Sequence, residues 1–159
     1  MRFILSIMIG IFFLVGCESK GVYKEGNLQQ KPLKFKAGEV EDIICMMSVD
    51  SKEHSVQVAL KNGVTYIFDD AGCFSKWYEK QSDEVKKSAK FWAYSDDTKR
   101  YIDATKAWYK LGVHTPMHYG FGVYENKPKG AVDFDEFLLM MKRGENLTNP
   151  KIRKRVLGL

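Results

Sequence analysis

The chain is 159 residues long, 45% hydrophobic and 13% aromatic, with a formal net charge of +5. A hydrophobic share of that size excludes disorder as the default for the body, and so mild a basic excess does not indicate nucleic acid as a partner. The length suits a single domain with one core.

At the N-terminus, Arg2 precedes an apolar run from Phe3 to Val15. The run is shorter than the ~18 to 20 residues that cross a bilayer, so residues 1–16 read as a signal peptide. It closes on Leu14-Val15-Gly16-Cys17, which resembles the bacterial lipobox, where the cysteine sulfur is acylated and the chain is cut just before it. Cys17 is the expected lipidation site, and the mature protein is expected outside the cytoplasm, lipid-anchored to a membrane facing the periplasm. Glu18 leaves inner- and outer-membrane sorting both open. Residues 17–38, rich in Lys, Gln and Gly, read as the lipidated cysteine and a flexible tether. Residues 39–143 read as the folded domain and 144–159 as a basic tail.

The first strand pair is predicted in VEDIICMMSV and HSVQVAL, joined by DSKE as a hairpin turn, with Val56, Val58 and Leu60 alternating on one face. Asn62-Gly63 supplies the positive φ angles of a tight turn before a third strand, VTYIF. Asp69 and Asp70 then cap a helix through AGCFSKWYEK, whose Phe74, Trp77 and Tyr78 form one buried stripe. QSDEVKKSA is a charged connection between halves. KFWAYS reads as a strand, DATKAWYKL as a short helix or irregular segment, and YGFGVYEN as a strand closed by the turn NKPKG. AVDFDEFLLMMK repeats the pattern of strand, acidic cap and helix, with Phe134-Asp135-Glu136-Phe137 in the place of Phe68-Asp69-Asp70-Ala71. The expected fold is α+β, two tandem ββαβ-like units packed as one domain. KIRKRVLGL reads as a solvated helix end or tail, with docking to anionic lipid or an acidic partner as the alternative. Turns and caps account for most of the acidic residues, including Asp96, Asp97 and Asp133, and no catalytic triad or phosphate loop stands out.

With Cys17 taken by lipid, Cys45 and Cys73 are the remaining thiols. On a strand, Cys45 and Met47 would share a face with Met46 on the other. A thiolate and a thioether so spaced suit Cu(I), whereas calcium and magnesium need oxygen and structural zinc needs four Cys or His ligands. His54 would lie across the hairpin as a third ligand. His114, Met117 and His118 in HTPMHYG are further copper-binding types, and Cys73 sits near a helix N-terminus, where the dipole favours thiolate. Two bland readings compete: Cys45, Met46 and Met47 as core filler, and a Cys45–Cys73 disulfide.

From about Asp42 to Met140 the chain resembles the NosL family, copper-binding lipoproteins that accompany nitrous oxide reductase. The matching stretches are CMM for the family's Cys-x-Met, YIFDDAGCFSKW for its aromatic-Asp-Asp-x-x-Cys segment, YIDATKAWY, and TPMHYGFGVYEN for its Thr-Pro-Met element. Met46 and His118 stand where the family commonly has glycine. The resemblance implies paired ββαβ-like units, a Cu(I) ion held by Cys45 and Met47, and delivery of copper to nitrous oxide reductase and its maturation membrane complex. It implies a chaperone, not an enzyme. His54 rests on its hairpin position as much as on the family; Met46, Cys73, His114, Met117 and His118 are candidates for added ligands. The competing functions are a thiol-dependent lyase or redox enzyme using Cys45 and Cys73, and a structural lipoprotein without metal.

Overall fold

In β1 (Val56–Ala59), valine alternates with glutamine, and all four residues are buried. Period-two alternation that is buried throughout requires cover on both faces of the sheet. The computed structural model describes residues 21–158; the expected signal peptide and the Cys17 lipidation site lie outside them. β1 is central in a four-stranded antiparallel sheet with β2 (Thr65–Phe68), β3 (Lys90–Tyr94) and β4 (Tyr101–Asp103), in the order β2-β1-β3-β4. Val56 pairs with Phe68 and Ala93, and Val58 with Tyr66 and Phe91, so these side chains form one face. Gln57 aligns with Ile67 and Trp92 on the other.

The first face is covered by helices. Asp70 ends the strand-to-helix turn by accepting the Gly72 N–H at 2.8 Å, which starts α1 (Ala71–Glu79). As the spacing predicts, Phe74 and Trp77 are buried, both packing on Phe68, with Tyr78 half-buried beside Phe74. The charged connection contains a short helix, α2 (Asp83–Ser88), capped by Ser82. DATKAWYKL divides into a 3-10 turn (Ala104–Lys106) and β5 (Trp108–Leu111), which pairs antiparallel with β6 (Phe121–Tyr124). α3 (Phe134–Lys142) follows, capped by Asp133 and not by Asp135, and Phe137 stacks on Tyr109 with ring centroids 4.1 Å apart. α4 (Pro150–Leu157) is the last element. The fold is α+β, with antiparallel sheets and four α-helices among the described residues. One core joins Val56, Phe68, Phe74, Tyr109, Phe121 and Phe137 across both sheets and the α1 and α3 helices.

Two expectations need correction. Residues 40–49 are not a strand: apart from isolated bridges they form a turn, with Met46 at φ 59°, the Met46 N–H donating to Asp42 O at 2.7 Å and the Asp42 N–H to Met47 O at 2.9 Å. Both edges of β1 are occupied by β2 and β3, so the predicted hairpin has no edge to use. The expected tether is also docked over its described part, 21–38. Lys24 bridges to Thr65, Gln30 Nε2 donates to the carbonyls of Ala59 and Ser88, and the Trp92 indole donates to Gln30 O. Lysine and glutamine content suggested solvation, but here glutamine amides satisfy buried backbone groups.

Candidate metal centre

The site forms where three loops meet the N-terminus of α1. Asp42, fully buried, is the organiser. Its Oδ1 accepts the N–H of Ile44 at 2.7 Å and of Cys45 at 3.4 Å, and its Oδ2 accepts the Asp69 N–H at 3.1 Å. One carboxylate thus bends the CMM segment into a turn and ties it to the end of β2, the local competition with strand pairing typical of aspartate. Asp70 does the corresponding work for the third loop. Beyond its cap to Gly72, its Oδ2 accepts the Thr115 hydroxyl at 2.6 Å and the Met117 N–H at 3.0 Å, while Thr115 Oγ1 accepts the Gly120 N–H at 3.0 Å.

These ties bring the Sγ atoms of Cys45 and Cys73 and carboxylate oxygens of Asp42 and Asp69 within 4.8 Å of one another. The group could hold a metal ion. Both cysteines are free thiols; Cys73 is fully buried on α1 and Cys45 half-buried, its thiol donating to Asp69 Oδ1 at 3.8 Å. Asp42 is committed to backbone donors, which leaves two sulfurs and Asp69 as the freer ligands.

Electrostatically the centre disfavours negative charge. Burial, reinforced by Asp42 and Asp70, raises the Asp69 carboxyl from 3.8 to about 7. Burial also pushes the Cys45 thiol up to about 11, with the Asp42 and Asp69 carboxylates adding to the rise and the Met47 backbone opposing it. Cys73 is raised further, chiefly by burial and then by the same carboxylates. The expected thiolate-favouring dipole at Cys73 is therefore outweighed by desolvation. A cation entering this centre would displace protons from thiols that otherwise keep them.

The other predicted residues fall in three places. Met46 and Met47 are 61% and 48% exposed at the turn. Since the segment is not a strand, their directions follow the turn and not the alternation that placed Met47 beside Cys45. Met117, half-buried against the core, lies on the loop held by Asp70, and His114 and His118 are exposed on that loop with rings 5.1 Å apart. His54 is outside the sulfur cluster: its buried Nδ1 stands 3.6 Å from Asp96 Oδ1, without a hydrogen bond. The hairpin that was to carry His54 to Cys45 does not form. The sequence reading passed over Asp42, although an aspartate two residues before a backbone donor in a turn is a recognisable signal. It read Asp69 as a cap only, a role that falls to Asp70 alone.

No family model, curated protein or solved structure matches this chain.

Proposed function

We propose that this protein is an extracytoplasmic Cu(I) chaperone of the NosL type, tethered by lipid at Cys17, that delivers copper to nitrous oxide reductase during assembly of its metal centre. The reading is carried by the convergence of the Cys45 thiol, from the 42–47 turn, and the Cys73 thiol, from α1, within 4.8 Å. Asp42 is committed to backbone donors, so two sulfurs outnumber the one freer carboxylate, Asp69, and sulfur selects a soft monovalent ion over oxygen-seeking ones. Cys45 is the anchoring ligand. Met47 and Met117, exposed and half-buried on loops tied to Asp42 and Asp70, are the thioethers we assign as further ligands.

Release is as necessary as binding. Cys73 is inaccessible, whereas Cys45 is half-buried next to an exposed methionine, so an acceptor ligand would approach on the Cys45 side. There it could bind copper before Cys45 lets go. The raised thiols argue against the alternative of a thiol enzyme, whose nucleophile needs a lowered pKa. A metal needs no preformed thiolate, because it drives the proton off itself.

The test is an anaerobic titration of the purified chain with Cu(I) against a chromogenic Cu(I) chelator, with proton release followed in parallel. One ion per chain is expected, with affinity falling in Cys45→Ala by more than the about 10- to 100-fold that losing an outer-shell partner of a ligand costs. A Cys45→Ala protein that keeps the parent stoichiometry and affinity overturns this site.

A further inference from the structure

The basic C-terminal helix takes no part in the proposed copper site. α4 starts at Asn149, whose Oδ1 accepts the Lys151 N–H at 3.0 Å, and stops at Gly158, whose φ is 70°. It carries Lys151, Arg153, Lys154 and Arg155 and no carboxylate. Among the described residues, none of the four is in an ion pair. At 3.6 residues per turn, Lys151, Lys154 and Arg155 share one side. The far side meets the body: a Cβ on Gly112 would touch Val156 Cγ1 at 3.4 Å, and Arg153 and Leu157 line a cavity with His114 and His118. Val156 and Leu157, on that far side, are 37% and 44% exposed.

We propose that α4 docks on a surface of anionic phospholipid. An exposed strip of cations along the outward side of a helix matches a layer of anionic headgroups: Lys151, Lys154 and Arg155 meet the phosphates together, and no apolar insertion is needed. The proposal rests on the helix alone and stands whether or not the copper reading does. It has a consequence for the site, because α4 packs beside the 112–120 loop that Asp70 ties to the sulfur cluster. Docking would fix which way that cluster faces relative to the bilayer.

The experiment is co-flotation of the full chain with vesicles of phosphatidylcholine alone or with 30 mol% phosphatidylglycerol. The readout is the ratio of the two partition coefficients, which cancels whatever the apolar N-terminal run contributes to both. The ratio should be about tenfold or more at low salt, fall as salt screens the charges, and drop about tenfold in K151Q/K154Q/R155Q. A K80Q/K87Q/K129Q variant, with the same change in net charge on exposed residues elsewhere, should keep the parent ratio. Retention of the ratio in the α4 variant, equal loss in the control, or no anionic preference in the parent each overturns the proposal. Binding of α4 to an acidic protein alone would appear as the last of these.

Discussion

Asp42 and Asp69 show how one residue type is put to different uses by its surroundings. Asp42 spends its carboxylate on three backbone donors, while Asp69 faces a thiol and is pushed up to about 7. A carboxyl raised in the folded state binds its proton more tightly there than in the unfolded chain. Its stabilising contribution is full below the ordinary value of 3.8 and is lost as pH rises through about 7. The urea midpoint of the metal-free chain, compared with that of Asp69→Asn, should therefore decline across that window, since the variant has no such proton to lose. A difference between the two that stays constant with pH would show that Asp69 is not buried as described. Asp70 was readable as a cap from its position before an apolar helix. Asp42 was harder, because its partners at Asp69 lie 27 residues away.

At the scale of elements, α1 and its approach to β6 set the site's rigidity. Gly72 is buried on α1, where a Cβ would lie 2.1 Å from the Tyr119 ring. That absence of a side chain lets the loop carrying Met117 close onto the helix that carries Cys73. Alanine usually stabilises a helix over glycine by up to about 1 kcal/mol. Here the sign should reverse: Gly72→Ala should destabilise by about 3 kcal/mol through overpacking, measured by chemical denaturation. A stabilised variant would mean that Tyr119 can move aside. Strand and helix periods made β1, β2, α1, β3, β6 and α3 legible, since alternation and the i, i+3, i+4 stripe are local consequences of backbone geometry. The 42–47 turn was not, because its apolar and sulfur residues satisfy a strand pattern equally well.

Over the whole molecule, residues 21–49 serve as the second cover of the main sheet. A small cluster of Val40, Val49 and Ile67 with Phe35 lies on that side, and buried Gln57 fastens the segment. Its Oε1 accepts the Leu33 N–H at 2.8 Å and its Nε2 donates to Leu33 O at 2.9 Å. Gln57→Leu removes both partners and leaves the half-buried Leu33 N–H and C=O without them. Trypsin cleavage at the exposed Lys34 and Lys36 should then speed up about tenfold, while the α1–α3 core stays resistant. Unchanged cleavage would mean that the apolar cluster alone holds the cover. In the native chain this cover also delivers Cys45, since the CMM turn is its last part.

What the sequence by itself determined were the α+β class, the capped helices and the short list of candidate sulfur residues, because propensity, capping and periodicity act between neighbours in the chain. Which thiols meet, and that His54 turns to Asp96 while Asp42 gathers the loops, was decided only in three dimensions. Those outcomes depend on which strand edges are already filled and on which buried donors still lack an acceptor. Both are properties of the packed molecule, carried by contacts between residues far apart in the chain.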